Sequence, residues 1–326
     1  MTTETDRQPP RVSVVLPTYR RPEMLERALD AVLGQTYRDW ELIVVDDNGE
    51  GSEAQRRTGE VIARHADERR LVYLVHPVNR GGGGARNSGI RRACGEFVAF
   101  LDDDDAWDPE KLEHQVARFD EEDESVALVY CRSRVFDETS GTSATWRTDG
   151  RSHSLRHLLR RNTVGSTSLV LCRRSALEEV GGFDESLPAK QDVDLYVRLA
   201  SRFSFAFVDR VLHTGYRHDG ASIGKDLGGT IRAHEIFHDK HADLIAAYPE
   251  VRHHRDLAIG RLYLASGRRG DARRALWRAW RVRPLHRETL GYLALALVDP
   301  WGVASALARR LRHARVRGHV PVEDRP

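Results

Sequence analysis

Short apolar runs alternate with amphipathic segments through the first half of the chain. Four runs predict buried β-strands: RVSVVLP, WELIVVDD, RLVYLVH and EFVAFLDD. The segment PEMLERALDAVLGQ, after the first run, has apolar residues at helical spacing, with Pro22 at its start and Gly34 as a stop. A polar helix is predicted at 53–65, and a short helix is predicted to end near Cys94. This alternation predicts β-α units on a mostly parallel sheet.

The second half of the chain changes character. Strands are predicted in SLVLCRR and FSFAFVD, and helices from Ser175 and in DVDLYVRLASR. From about Leu227 the pattern is wholly helical, and RDLAIGRLYLASGRRGDARRALWRAWRVRP resembles one tetratricopeptide-like hairpin. We therefore predict a disordered tail at 1–10, an α/β domain at 11–225, a basic helical region at 226–318 and a disordered tail at 319–326.

Composition narrows the class of protein. The 326 residues are 40% hydrophobic and 31% charged, with a net charge of +2, which is ordinary for a globular protein and gives no general attraction to nucleic acid. Three distant cysteines without a C-x-x-C pair predict neither a disulfide framework nor a zinc site, and favour a cytoplasmic location. The N-terminus is polar, and the apolar run LGYLALALV is far shorter than the ~20 residues of a membrane span.

Positive charge is concentrated near the C-terminus. From Arg252 onward there are 17 arginines against six acidic residues. The region, including ARRLRHARVRG, is either a solvated helix face or a surface for an anionic membrane that carries a lipid-linked acceptor. It could equally hold a phosphorylated or acidic acceptor. The expected location is therefore cytoplasmic, and the alternative is peripheral attachment to the inner face of the plasma membrane.

Four consecutive aspartates, 102–105, follow the fourth apolar run directly. Two carboxylates about 4 Å apart repel each other by roughly 4 kcal/mol at an effective dielectric constant near 20, so they shift their pKa, remain solvated or bind a cation. Asp108 is predicted to cap a helix beginning at Pro109, which leaves Asp102 and Asp104 unexplained. Oxygen ligands select hard ions, so these two predict a site for Mg²⁺ or Mn²⁺.

Polar residues also follow the other predicted strands, at the edge where open α/β sheets bind ligands. Asp46 or Asp47 accepts from a nucleobase N–H or a ribose hydroxyl, or else forms a local turn. The glycine-rich segment 81–86 either lets the backbone approach a ligand, with Arg86 contacting a diphosphate, or is a flexible connection. It lacks the GK[ST] of a P-loop, which disfavours kinases and NTPases.

Two further segments carry titratable groups. Asp192 and Asp194 begin an amphipathic helix, where they either compensate its N-terminal dipole or supply a general base for an acceptor hydroxyl. His213 and His218 follow the last strand, and His218 is either a third contact to the metal or phosphate, or a structural residue.

In this order, three segments resemble inverting family 2 glycosyltransferases with the GT-A fold: VSVVLPTYRRPEMLERALDAVLGQTYRDWELIVVDDNGEGS, NRGGGGARNSGIRRACGEFVAFLDDDDAWDPEKL and GGFDESLPAKQDVDLYVRLA. The resemblance covers roughly residues 11 to 220. It implies an α/β fold, Rossmann-like, with a mostly parallel central sheet flanked by helices, followed here by an all-helical extension.

The resemblance also implies roles for residues. Asp104 is the expected direct ligand of the metal, with Asp102 nearer the ribose or a metal-bound water, and Asp192 is the expected catalytic base. Gln191 stands where the family often has Glu. Together with the strand-end positions, we predict a nucleotide-sugar site that consists of Pro17, Thr18, Tyr19, Arg20, Asp46, Asp47, Arg86, Asp102, Asp103 and Asp104. The predicted metal ligands are Asp104, Asp102 and His218.

The implied reaction is a single displacement that uses Mn²⁺ or Mg²⁺ and turns an α-linked nucleoside diphosphate sugar into a β-linked product. UDP is the expected nucleotide of the donor, with dTDP and GDP as alternatives, and a glycan or lipid-linked molecule is the expected acceptor. The sugar, the linkage and the oligomeric state stay open. The alternatives are a nucleotidyltransferase, disfavoured because PTYRRP lacks the glycines of its loop, and an inactive sugar-nucleotide-binding scaffold acting through its C-terminal helices.

Overall fold

A computed structural model of the chain describes residues 8–146, 150, 153–217 and 226–298. These divide into two compact units. The first unit contains 8–146, 150, 153–154, 163–185 and 194–217, and the second contains 155–162, 186–193 and 226–298.

The first unit begins with the predicted alternation of strands and helices. Its elements are β1 (Val12–Thr18), α1 (Pro22–Leu33), β2 (Trp40–Asp46), α2 (Glu53–Ala63), β3 (Leu71–Val75), α3 (Gly81–Arg92) and β4 (Phe97–Phe100). Helix α1 ends at Gly34, as predicted, because the backbone N–H of this glycine donates to Asp30 and Val32 as a C-cap.

Shorter and more irregular elements follow along the chain. They are β5 (Asp105–Trp107), α4 (Lys111–Asp120), β6 (Val126–Asp137), β7 (Thr142–Trp146), α5 (Leu155–Arg160), a 3₁₀ turn (Thr167–Leu169), β8 (Val170–Arg173), α6 (Arg174–Glu179), α7 (Gln191–Ala200) and β9 (Ser204–Arg217). Strands β5, β6 and β7 were not among the predicted elements, and β9 extends eight residues beyond the predicted FSFAFVD.

One sheet joins the described strands in the order β3-β2-β1-β4-β8-β6-β9-β5, with β7 paired to β6. The pairings make β1, β2, β3, β4, β6 and β9 run in one direction, while β5, β7 and β8 run against it. The α/β fold with a mostly parallel sheet is therefore confirmed. Strand β4 is fully buried, with no residue more than 1% exposed, because it lies between β1 and β8 in the middle of the sheet.

Helix α3 corrects one prediction. The glycines predicted as a turn form its first turn, and of Gly81–Gly84 only Gly81 has a positive φ, +74°. The role of a later glycine is close packing: a Cβ on Gly89 would lie 2.2 Å from Cγ1 of Val15 in β1. The helix can lie against the sheet because this position has no side chain.

A second correction concerns α4, which begins at Lys111 rather than Pro109. Asp108 accepts from the backbone N–H of Glu110 at 3.1 Å, and its carbonyl accepts from Lys111 N at 3.1 Å. Asp108 therefore closes the turn before the helix, and Glu110 occupies the N-cap position.

The second unit is helical, as predicted from about Leu227. Besides α5 it contains α8 (Leu227–Lys240), α9 (Ala242–Ala246), α10 (Pro249–Ala265), α11 (Arg269–Val282) and α12 (Arg287–Val298). Helices α10 and α11 form the predicted hairpin around Gly267, which has a φ of +80°. Its apolar core includes Tyr263, Leu264 and Leu276. Among the residues described, no helix combines the length and hydrophobicity needed to cross a bilayer.

Candidate active site

The carboxyl ends of β1 and β4 meet at a shared hydrogen-bond network. Val15 of β1 lies opposite Phe100 of β4 in parallel register, so Thr18 reaches the level of Asp103. The Thr18 hydroxyl donates to Asp103 Oδ2 at 2.9 Å, and the backbone N–H of Tyr19 donates to the same oxygen at 3.3 Å. The ends of two non-sequential strands are thereby fixed to each other.

Asp103 is 5% exposed. Burial raises its pKa to about 6, opposed by the positive charge of Arg21 and reinforced by the negative charge of Asp104. The hydrogen bonds from Thr18 and the Tyr19 backbone lower the pKa in turn. Within the aspartate run, Asp103 is therefore the carboxylate that water exclusion affects most.

Arginines hold the neighbouring aspartates. Arg21 Nη1 lies 2.5 Å from Asp104 Oδ2 and 3.3 Å from Asp103 Oδ1. Arg86, from α3, donates to Asp102. The backbone N–H of Asp102 donates to Ser168 Oγ at 3.0 Å. Two guanidinium groups and three carboxylates thus come together from three segments of the chain, and a fourth segment contributes Ser168.

The end of β2 is occupied by internal contacts. Asp46 is fully buried and accepts from Tyr73 Oη at 2.6 Å and from Asn48 N and Nδ2 at 2.9 and 2.8 Å. Asp47 is 2% exposed and accepts from Asn79 Nδ2 at 2.8 Å. These contacts order the loop after β2 and the approach to α3.

Asp47 also connects to two groups at the start of α3. His76 Nδ1 lies 2.7 Å from its Oδ1, and the backbone N–H of Arg80 donates to the same oxygen at 2.8 Å. His76 Nε2 lies 2.8 Å from Ser88 Oγ. Asp47, one of the two aspartates predicted to contact the base, is therefore bound by protein groups from His76, Asn79 and Arg80.

The chemistry of the donor set fits a divalent cation in part. The side chains of Asp102 and Asp104 are 28% and 25% exposed, and both offer only oxygen, the ligand that Mg²⁺ and Mn²⁺ prefer. Within the described ranges, no group of three His, Cys, Asp or Glu side chains is arranged to hold a metal ion. Two carboxylates suit an ion that takes its other ligands from phosphate and water. His218 lies outside the described residues, so its contact with metal or phosphate stays a prediction.

The predicted base lies in the second unit. Asp192 is in the first turn of α7, and Asn162 Nδ2 donates to its Oδ2 at 2.7 Å. Gln191 donates through Nε2 to the carbonyl of Leu187 at 2.7 Å. Asp194, the other carboxylate that could serve as base, is fully buried and pairs with Arg198 Nη2 at 2.8 Å. The contacts therefore favour Asp192 over Asp194.

The family follows from a match over most of the first unit. A family model described as glycosyl transferase family 2 matches residues 13–181, just over half of the chain. The chain belongs to glycosyl transferase family 2. The match includes β1 to β4 and the aspartate run, so the network at the strand ends lies within the matched residues.

Two family 2 relatives show how far the similarity extends. An uncharacterized glycosyltransferase of Rickettsia felis is 31% identical over 209 residues, which are 62% of this chain and 33% of that protein. The match thus spans a third of the relative's length. WfgD of Escherichia coli, named a UDP-Glc:alpha-D-GlcNAc-diphosphoundecaprenol beta-1,3-glucosyltransferase, is 36% identical over 106 residues, 32% of this chain and 40% of WfgD.

A solved structure confirms the GT-A fold. The mannosyltransferase PcManGT of Pyrobaculum calidifontis, in complex with GDP-Man and Mn²⁺, matches with a TM-score of 0.56. It is 22% identical, and the match covers 95% of this chain and 87% of PcManGT. At this identity the likeness establishes the fold.

Several residues of the candidate site were not predicted from the sequence. Arg21 stands next to Arg20 in PTYRRP, where charge alone does not distinguish them: Arg20 has a φ of +56° and donates its backbone N–H to Asn48, whereas Arg21 holds the aspartates. Ser168 and His76 do not belong to any motif identified in the sequence. His76 ends the run RLVYLVH, and its position at a strand end was the one available indication.

Proposed function

We propose that this family 2 chain is a metal-dependent inverting glycosyltransferase. It moves a sugar from a nucleoside diphosphate donor, with UDP as the expected nucleotide, to a hydroxyl of a glycan or lipid-linked acceptor. The observation that carries the proposal is the cluster of Asp102, Asp103 and Asp104 with Arg21 and Arg86 at the carboxyl ends of β1 and β4. The name of WfgD, with a UDP-sugar donor and a diphosphate lipid, supports it.

The donor binds at the strand ends. Tyr19 is 39% exposed beside buried Thr18, and these two line the pocket for base and ribose. Asp46 and Asp47 are saturated by protein contacts, so they shape the pocket by positioning Asn48 and Asn79. Arg86 and Arg21 supply positive charge for the diphosphate.

The partly exposed carboxylates of Asp104 and Asp102 would hold Mn²⁺ or Mg²⁺, and PcManGT, with Mn²⁺ in its complex, supports this assignment. When bound, such an ion supplies neutralisation of the charge that develops on the leaving diphosphate. Asp103 is too buried to be a ligand and instead fixes the backbone that carries the other two.

Transfer proceeds by one displacement. Asp192 accepts the proton of the acceptor hydroxyl, the hydroxyl oxygen forms a bond to the anomeric carbon, and the bond from that carbon to the diphosphate oxygen breaks with its electron pair. Attack from the face opposite the diphosphate turns an α-linked donor into a β-linked product. Asn162, which donates to Asp192 Oδ2, orients the carboxylate.

The decisive experiment measures release of nucleoside diphosphate by the purified chain from UDP-glucose, UDP-N-acetylglucosamine, dTDP-glucose and GDP-mannose, with Mn²⁺, Mg²⁺ or EDTA. We expect turnover of at least one donor with metal and none with EDTA. Tight binding of a donor without turnover of any would instead support the inactive scaffold. Failure to bind any of the donors with metal present would contradict the proposal.

A further inference from the structure

The helical unit contains a cavity of about 310 Å³, at the lower end of the range for small-molecule sites. Helices α5 and α10 line it together with the turn from α11 into α12. The lining residues are Arg156, Arg160, Glu250, His253, His254, Leu257, Arg283, His286 and Glu288. Apart from Leu257, each of these residues has a side chain that is charged or can take up a charge.

The carboxylates of the cavity are already paired. Glu250 forms an ion pair with Arg156, and Glu288 lies 3.2 Å from Arg261. Arg160 and Arg283 have no ion-pair partner in the part of the chain that the structure describes. The cavity wall therefore carries two guanidinium groups whose charge no described carboxylate balances.

Burial and the positive charge around the cavity lower the pKa of two histidines. Burial holds the pKa of His253 at about 4, with further lowering from His286, Arg283 and Arg160, against a small rise from Glu288. The pKa of His254 is also about 4, because of burial and the charges of Arg160, Arg255, His253 and Arg161. Both rings are therefore neutral at pH 7.

Positive charge continues into the interior beside His254. Arg255 is 4% exposed, donates to the carbonyl of Leu159, and has an Nη2 without a hydrogen-bond partner among described residues. Its guanidinium carbon lies 4.2 Å from the ring centre of Phe237. Burial is the main cause that lowers the pKa of Lys190 and of His234, and the charge of Arg255 lowers both further. The charge of Asp192 raises the pKa of Lys190.

We propose that this cavity binds a phosphate or diphosphate group, with Arg160 and Arg283 as its charged ligands and His254 as a hydrogen-bond donor that gains a proton on binding. Guanidinium forks match the geometry of phosphate oxygens, and an anion would relieve the repulsion among the cationic groups. The site goes beyond the proposed sugar transfer, and its test is binding rather than turnover.

The test is calorimetric titration of the full chain with inorganic pyrophosphate in EDTA. The double variant Arg160→Gln/Arg283→Gln is compared with Arg273→Gln/Arg281→Gln, which removes two exposed arginines of α11 outside the cavity. We expect binding to weaken by at least about tenfold in the first variant and to stay within about twofold in the control. Equal affinity in all three proteins, or an equal loss in both variants, overturns the proposal.

Two further measurements test folding and proton uptake. A thermal transition and UDP binding like those of the parent chain show that the first variant is folded. Titration with sulfate at pH 5 and pH 8, in buffers of different ionisation enthalpy, is expected to show tighter binding and proton uptake at pH 5. Proton uptake by His254 is excluded if the His254→Gln variant shows the same uptake.

The phosphate could belong to a lipid headgroup or to a soluble sugar phosphate. Phosphatidylcholine vesicles that contain added phosphatidic acid should sediment the parent chain and not the cavity variant if the source is a lipid. If the source is soluble, glucose 1-phosphate should bind at the cavity and the vesicles should not sediment the chain. Sedimentation that both double variants lose equally would instead reflect general surface charge and contradict the lipid assignment.

Discussion

Asp103 shows how one buried side chain can join the ends of two strands. Its two oxygens receive hydrogen bonds from Thr18, the backbone of Tyr19 and Arg21. It has almost no contact with water, and burial of the charged form is costly even with these donors. The pKa of about 6 expresses that balance.

The first prediction concerns the pH dependence of stability. The pKa of Asp103 is higher in the folded chain, about 6, than its ordinary value of 3.8, so the folded state binds this proton more tightly. Its contribution is fully present below pH 4 and is lost as the pH rises through 6. Between pH 4.5 and pH 7.5, Asp103→Asn should gain about 2 kcal/mol relative to the parent chain, measured by urea unfolding.

Asp67→Asn, at an exposed position, is the control for this measurement and should show no such pH-dependent gain. A constant difference between Asp103→Asn and the parent across the pH range would show that Asp103 is not destabilised when ionised.

The second prediction concerns Asp104. The Asp104→Asn variant should lose about 10²-fold or more in kcat/KM and should bind UDP no more tightly with Mn²⁺ than with EDTA, since a metal at such a site contributes several kcal/mol. Release of UDP and calorimetric binding of UDP are the measurements. Asp67→Asn should behave like the parent, and an active Asp104→Asn variant with metal-enhanced UDP binding would remove Asp104 from the metal site.

At the scale of elements, the contact of α3 with β1 places Arg86 over the strand ends. Gly89 lies against Val15, so the helix approaches the strand more closely than a residue with a Cβ would allow. Arg86 is one turn earlier on the same helix and reaches Asp102. The position of a site residue thus depends on a glycine that faces the core.

The third prediction tests this packing. Gly89→Ala should destabilise the chain by about 1–3 kcal/mol, because the added Cβ would overlap Val15 and force the helix outward. Gly59→Ala, in α2, is the matched control: its Cβ would meet nothing closer than 3.7 Å, and alanine should stabilise the helix by up to about 1 kcal/mol. Urea unfolding of both variants provides the test, and an equal response of both would mean that α3 is not closely packed.

The strands missed in the sequence share a physical cause. β5 has three residues and is defined by pairing with β9. β6 has twelve residues, VALVYCRSRVFD, which are buried in its first half and mostly only partly buried in its second. A strand whose surroundings change along its length has no single hydrophobic period, so only its partners identify it.

At the scale of the whole molecule, the residues proposed for donor binding and for proton transfer belong to different compact units. The aspartate run lies in the first unit, and Asp192 with Asn162 in the second. Mutation can therefore test the two proposed roles separately.

The fourth prediction uses this separation. Asp192→Asn should lower kcat for transfer by about 10²–10⁴-fold, as expected for loss of a general base, while the affinity for UDP with Mn²⁺ stays unchanged. Steady-state kinetics and UDP calorimetry measure the two quantities. Asp243→Asn, at an exposed position of α9, should leave both unchanged. Near-parental kcat in Asp192→Asn would mean that another group takes the proton.

Much of the site could be inferred from position along the chain. Thr18, Asp47 and the aspartate run follow apolar runs, and the carboxyl ends of parallel strands share one edge. Their individual contacts could not be inferred in this way. Arg20 and Arg21 are equivalent in composition, and only the backbone conformation at Arg20 decides which of them turns toward Asp104.

By itself, the sequence determined the alternation of strands and helices, the buried fourth strand and the helical second unit, because these depend on periodicity within each segment. The tertiary structure decided that Asp103 is buried, whereas Asp102 and Asp104 stay partly exposed and pair with Arg86 and Arg21. Thr18 and Asp103 are 85 residues apart in the chain and meet only through the register of β1 and β4. Burial and long-range pairing set the charge state of a carboxylate, and neither is encoded in its immediate neighbours.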